Sequence, residues 1–201
     1  MCLLLETIRL EDGNFCYPEY HQARMDRSRT RLFHTFQQLN LLDIPIPNDF
    51  VSGIFKCRII YSESFKQVTF MTYTRKPIKS LVLVNAESIE YSLKFADRSA
   101  IERLVRDQIG FDEIIMVKNG SITDTSYSNL VFLSGTTWVT PDEPLLHGTC
   151  RQRLLDQGSI ITERIKPSDL PQFSHVSLIN SMLDLHDLIL PIAAIDPGAQ
   201  Y

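Results

Sequence analysis

The sequence predicts an α+β protein of 201 residues in two halves, a small one over 1–86 and a larger one over 87–201. Strand-like apolar runs bounded by turn residues dominate both halves. The polar stretch Asn85-Ala86-Glu87-Ser88 separates two groups of such runs and has the character of a linker. No long strand–helix alternation of the parallel, doubly wound kind occurs, which disfavours a Rossmann arrangement.

Taken in order, Leu3 to Leu10 is a strand-forming run that turns at Glu11-Asp12-Gly13-Asn14 and returns through Phe15-Cys16-Tyr17. Pro18 to about Leu39 looks helical, and Pro47 to about Phe55 reads as a short second helix. Strands are expected at 56–62, 67–74 and 80–84. Beyond the linker, 97–109 has helical periodicity, with Ile101, Leu104, Val105 and Gln108 on one side. Strands follow at 113–118, 129–134, 136–140, 159–165 and 175–181, with helices at about 149–157 and 167–173. Asn119-Gly120, after the buried-looking run Ile114 to Val117, is a strong two-residue hairpin signal.

Composition narrows the function. Hydrophobic content of 44% with 22% charged residues is ordinary for a soluble globular protein. A net charge of -4 gives no electrostatic case for nucleic acid. No apolar run approaches the roughly 20 residues of a membrane span, and the opening Met-Cys-Leu-Leu-Leu is cut short by Glu6, against a signal peptide. Cys2, Cys16, Cys57 and Cys150 are scattered without metal-ligand spacing, so reduced thiols in the cytoplasm are expected, with neither a disulfide framework nor a metal site.

Several residues carry candidate chemistry, each beside a plainer role. Lys94, in Tyr91-Ser92-Leu93-Lys94-Phe95-Ala96, is either a snorkelling lysine or a partly desolvated amine suited to a Schiff base. Asp124, among Thr123, Thr125 and Ser126, is either a turn former or a carboxylate fixed by hydroxyls to hold a cationic ring nitrogen. His147-Gly148-Thr149-Cys150-Arg151 opens a helix, as an ordinary cap or as an anion site of free N–H groups. Ser181 is a strand-end cap or a phosphate donor. Arg24 shares a helix face with His21, but Arg24, Arg27, Arg29 and Arg31 also read as a solvated basic face.

Together these stretches resemble the class IV aminotransferases, the pyridoxal-phosphate enzymes of fold type IV. "LETIRLEDG" is similar to the family's Phe-Glu-Thr hairpin and "HQARMDRS" to its His-x-x-Arg helix. "SLKFADRS" stands at the lysine position, and "GFDEIIMVKNGSITDTSYSNLVF" follows the pattern ending in Asn-apolar-Phe. "TPDEPLLHGTCRQRLL" and "SLINSMLDLHDLILPI" resemble the Leu-x-Gly-Ile-Thr-Arg and Thr-Asn-Ser-Leu stretches. The resemblance implies the two-domain fold of D-amino acid aminotransferases, here with a truncated N-terminal domain, the lysine in the larger half, and a homodimer.

It further implies that Lys94 forms the Schiff base with pyridoxal 5'-phosphate and moves the Cα proton. Arg24, the amides of Thr149 and Cys150, and Ser181 would bind the phosphate, and Asp124 would face the pyridine nitrogen. Asp124 stands where the family has Glu, Cys150 stands where it has Thr, and the chain opens at the first hairpin, short of the family's N-terminal strand. "INSMLDL" tilts the expected reaction to 4-amino-4-deoxychorismate lyase, releasing pyruvate and 4-aminobenzoate. The alternatives are an aminotransferase for branched-chain or D-amino acids and a cofactor-binding protein with little turnover. Arg58 in "KCRIIYS" is either a ligand for a substrate carboxylate or an outward strand residue.

Overall fold

The computed structural model describes residues 2–35 and 38–198. These form two compact units. The first runs to Arg75 and takes back Leu93–Asp97; the second holds Lys76–Ser92 and the chain from Arg98 onward.

The first unit is built on β1 (Leu4–Glu11), β2 (Asn14–Phe15), α1 (Pro18–Phe33), β3 (Ile54–Tyr61) and β4 (Phe65–Thr72). Its strands are antiparallel in the order β2-β1-β3-β4. Asp12 and Gly13, at φ 46° and 75°, make the tight turn from β1 to β2. Side chains alternate across a strand, so Leu4 and Ile8 of β1 share a face with Cys57, Ile59 and Tyr61 of β3. That face packs with Met25 of α1 and with Leu41 and Ile44 as the core of the unit. Helix α1 ends at His34, left-handed at φ 54°, rather than at Leu39. The expected continuation crosses Phe36 and Gln37, which lie outside the described residues, and Gln38 and Leu39 are not helical. The second helix expected over 47–55 shrinks to a 3-10 turn at Asn48–Phe50.

The second unit has β5 (Leu81–Asn85), α2 (Ser99–Arg106), β6 (Glu113–Lys118), β7 (Ser121–Thr125), β8 (Asn129–Ser134) and β9 (Thr137–Pro141). It continues with α3 (Thr149–Asp156), β10 (Ile161–Glu163), β11 (His175–Ile179), β12 (Ile189–Pro191) and β13 (Ile195–Asp196). The sheet order is β10-β9-β8-β7-β6-β5-β13, with β11 paired to β8 and β12 to β11. Pairs β5–β6, β5–β13 and β9–β10 are parallel, and the others are antiparallel. Leu81, Ile115, Leu130, Phe132, Val176 and Leu178, each essentially inaccessible, anchor its core.

The chain therefore divides earlier than the linker near residue 86. Strand β5 pairs in parallel with β6 from Leu81 to Asn85, which commits it to the second unit. Lys94 goes the other way. Leu5 N donates to the Lys94 carbonyl at 2.8 Å and Ala96 N to the Leu3 carbonyl at 2.9 Å, so Leu93–Asp97 lies beside the start of β1. The lysine thus groups with the first unit, not with the second half as the sequence suggests.

The β6–β7 turn has Asn119 at φ 52° and Gly120 at φ 70°, the paired left-handed residues of a type I′ hairpin. Nothing lies within 4 Å of where a Cβ on Gly120 would stand, so a side chain there meets backbone strain alone. Gly120→Ala is expected to lower stability by roughly 1–2 kcal/mol, read as a shifted urea midpoint with an unchanged m-value.

Candidate active site

The first unit buries a charged cluster. Glu6 is fully buried on the core face of β1, beneath α1. Arg24 grips it with two bonds, Nε to Oε1 at 2.8 Å and Nη2 to Oε2 at 2.6 Å, the bidentate geometry a guanidinium offers a carboxylate. His21, one helical turn earlier on the same face, places Nδ1 2.7 Å from Oε2. Burial alone would raise the Glu6 carboxyl, but the Arg24 charge and the bonds from His21 and Arg24 outweigh it, bringing it down to about 2. Burial pushes His21 below its ordinary value, the positive charges of Arg24 and Lys94 add to that, and Glu6 opposes them. His21 is accordingly neutral at neutral pH, and because an ionised carboxylate only accepts, its Nδ1 carries the proton. The basic face read from Arg24, Arg27, Arg29 and Arg31 splits. Arg27 and Arg31 are exposed, whereas Arg24 and Arg29 are buried. Arg29 donates to the Ser62 and Glu63 carbonyls at 3.2 and 2.7 Å, holding the β3–β4 turn.

Lys94 is half-buried, and its charge reaches His21 within the same unit. Arg58 is half-buried, in register with Thr7 and Thr69 on the sheet face away from the core.

In the second unit, Asp124 is buried on β7 opposite Asn129 of β8. Asn129 Nδ2 donates to its Oδ1 at 2.7 Å, and Leu146 N donates to its Oδ2 at 2.8 Å. The neighbouring hydroxyls expected to fix it bond elsewhere. Thr123 donates to the Met116 carbonyl, Thr125 to the Ser128 carbonyl, and Ser126 to Glu113. The cause is strand alternation, which turns Thr123 and Thr125 to the face opposite Asp124. Arg151 is buried nearby and donates to the Pro141 carbonyl at 2.8 Å. Burial pushes its guanidinium down from the ordinary value, and the charges of Asp124 and Asp142 partly offset that.

Helix α3 begins at Gly148 with no capping side chain and no acid in its first turn. Its first turn thus holds no acidic side chain to oppose an anion at the positive end of its dipole. Thr149 and Cys150 are both buried there. The Cys150 thiol packs with Val131, Leu154 and Ile179 and points at the Leu183 carbonyl, 3.7 Å away. Burial pushes this thiol up to about 11, so it stays neutral. Ser181 lies beyond the end of β11, in a turn where Asn180 Oδ1 accepts from Met182 N and Leu183 N.

These groups fit pyridoxal phosphate by the chemistry of the donor set. A phosphate dianion suits an uncapped helix start reached over a glycine, and a protonated ring nitrogen suits a buried carboxylate. The first unit, taken by itself, carries a half-buried amine at Lys94 and a buried guanidinium at Arg24. The sequence reading missed Glu6, His21, Asn129 and Arg151 as functional residues. Glu6 carried a signal, since one acid interrupts the run Leu3-Leu4-Leu5 before Thr7-Ile8. Asn129 and Arg151 carried none outside the motifs that contain them.

The model of the family Amino-transferase class IV matches residues 58–195. An uncharacterised protein of Haemophilus influenzae is 36% identical over 184 residues, covering 89% of this chain and 97% of its own length. Among solved structures, a Haemophilus somnus 129PT protein provisionally named 4-amino-4-deoxychorismate lyase is 34% identical. It superposes with a TM-score of 0.80 over 92% of this chain and 98% of that one. A hypothetical aminotransferase of Mycobacterium tuberculosis in its PLP-bound form, 18% identical, shares the fold at a TM-score of 0.71, over 96% of this chain and 81% of that one.

The Glu6 cluster sets a pH dependence. Its folded-state value lies below the ordinary 4.5, so the stabilisation from ionised Glu6 is complete above pH 4.5 and drains away as pH falls towards 2. Glu6→Gln should flatten that acid limb in urea titrations and cost roughly 3–5 kcal/mol at pH 7, because it leaves Arg24 buried without its counter-charge.

Proposed function

We propose a reaction for a chain that belongs to the class IV aminotransferase family: elimination of pyruvate from 4-amino-4-deoxychorismate to give 4-aminobenzoate. One observation carries this choice among the family's reactions. The Haemophilus somnus protein of that provisional name is 34% identical and matches 98% of its own length to this chain.

Pyridoxal 5'-phosphate, the cofactor of the family, supplies an electron sink for the pair left when a proton departs the amine-bearing carbon. Lys94 would hold it covalently, and once the substrate amine displaced it, the freed Lys94 amine would take that proton as general base. Asp124 keeps the ring nitrogen protonated. Arg24, the amides of Thr149 and Cys150, and the Ser181 hydroxyl hold the phosphate. The electron pair left at that carbon would expel the enolpyruvyl oxygen, breaking the C–O bond and making the ring aromatic, and the leaving enolate would take a proton at its methylene carbon to become pyruvate. Arg58 serves as a ligand for a substrate carboxylate.

The description of the matching family, an amino-transferase, favours transamination of a branched-chain or D-amino acid as the second reading. In that case Lys94 would be the group that returns the proton as well as the one that takes it. A cytoplasmic homodimer is part of the proposal. No helix among the described residues is long and apolar enough to cross a membrane, and Cys2, Cys16, Cys57 and Cys150 are free thiols, in keeping with a reducing compartment.

The purified protein should be yellow with pyridoxal phosphate, bleach on borohydride, and release pyruvate from aminodeoxychorismate. Lys94→Ala should lose the reducible bond and at least about 10³-fold in rate, the upper range of general-base contributions. Keto-acid formation from D-alanine or glutamate, with no pyruvate from aminodeoxychorismate, would select the transaminase reading. A wild type that stays colourless with added pyridoxal phosphate rejects both.

A further inference from the structure

Asn129 meets three parts of the second unit with one side chain. Its Nδ2 donates to Asp124 Oδ1 at 2.7 Å and to the Leu146 carbonyl at 2.9 Å. Leu146 N closes the circuit on Asp124 Oδ2 at 2.8 Å. Both amide hydrogens are thus used on oxygens, and the flipped amide would set oxygen against oxygen, so the orientation is fixed. The remaining atom, Oδ1, faces Gly148, the residue that starts α3. A Cβ built on Gly148 would stand 1.9 Å from that oxygen and 3.1 Å from Cγ. Gly148 has an ordinary φ of -69°, so the close approach, not backbone freedom, is what requires glycine there.

Beside this junction Thr125 N donates to the Ser128 carbonyl at 2.9 Å. Asp124 and Asn129 are the one paired position recorded between β7 and β8 among the described residues. The loop that leads to α3 is tied to the strands here through the two side chains.

We propose that Asn129 is a positioning residue that holds the Asp124 carboxylate and the start of α3 at one fixed separation; the proposal rests on the cofactor reading above. A rigid ligand carrying a ring nitrogen at one end and a phosphate at the other gains from both contacts only if their spacing is already set. Each end could be met singly by a looser arrangement. Both together require the carboxylate and the helix amides to keep register, and Asn129 is the side chain that touches both. A carboxylate offers about four lone-pair sites, so the two bonds of the clamp do not by themselves exhaust Asp124 as an acceptor.

The test compares a two-ended probe with a one-ended one. Pyridoxamine 5'-phosphate has the ring nitrogen and the phosphate but no aldehyde to bond Lys94; inorganic phosphate has one end alone. Calorimetric titration of the apo wild type and of Asn129→Ala gives both affinities. Asn129→Ala should weaken pyridoxamine phosphate on the order of 10- to 100-fold, as loss of outer-shell partners typically does, while changing inorganic phosphate less than about 3-fold. Gly148→Ala should show the same selective loss, because its Cβ drives the Asn129 amide out of place. In the double variant the clash is gone, so the two losses should not add. Equal weakening of both probes, or none, in variants with native circular dichroism overturns the proposal. If the wild type itself fails to take up pyridoxal phosphate, the cofactor reading has failed, and that outcome is recognisable before any variant is made.

Discussion

Glu6 enters the core of the first unit as an ion, and the rest of that unit is arranged around keeping it one. An isolated carboxylate in so dry a place would cost several kcal/mol, so it persists only with donors aimed at its oxygens. Arg24 and His21 supply them from one face of α1. The helix is therefore attached to β1 by charge as well as by Met25 and its apolar neighbours. The same contact fixes the guanidinium of Arg24, since two of its three nitrogens are committed to Glu6. It also sets the environment of Lys94, whose positive charge acts on a histidine that burial has already made neutral. Of the polar residues on the buried helix face, His21 and Arg24 answer that acid, while Arg29 is turned to the β3–β4 turn.

The second unit repeats the constraint with a different solution. Asp124 is also a carboxylate on a buried strand, but no helix crosses it with an arginine in bidentate contact. An asparagine and a backbone amide serve it instead. The Asp124 charge also acts on the buried Arg151, whereas at Glu6 an arginine is in direct bidentate contact. A group that must hold a proton on a ring nitrogen needs its negative charge available. A group whose task is to seat an arginine does not.

How much of this could be read from the residues alone differs by kind. Strand runs such as Glu113–Lys118 and the Asn119-Gly120 turn were legible, because β-propensity and left-handed turn residues are local signals. The helix expected over 47–55 was not formed, since a 3-10 turn and then β3 claimed those residues once Phe55 and Cys57 could pair with β1. Strands β12 and β13 are three and two residues long, too short for periodicity to mark, and exist through their partners. Lys94 was legible as a candidate, but its membership of the first unit was not, for that depends on backbone bonds to Leu3 and Leu5 some ninety residues away in sequence. The donors to Asp124 were misassigned for a similar reason. Adjacent hydroxyls looked available, and strand alternation pointed them the wrong way.

The two departures from the family's pattern, Asp124 for Glu and Cys150 for Thr, acquire a common physical sense from these placements. At position 150 the side chain turns inward to Val131, Leu154 and Ile179, and its high thiol value keeps it neutral. The substitution thus removes a hydroxyl from the start of α3 without introducing a negative charge that would repel an anion there. Only the amide remains to donate. At position 124 the shorter side chain keeps its carboxylate near the strand, within reach of Leu146 N, the amide two residues before Gly148. In both places a contact that a side chain could have made is left to the backbone near α3. Backbone donors do not change with side-chain rotamer, but they depend wholly on where the loop and the helix start are held. A site that leans on them needs some other group to fix that loop, and the residue in contact with both its carbonyl side and its glycine is Asn129.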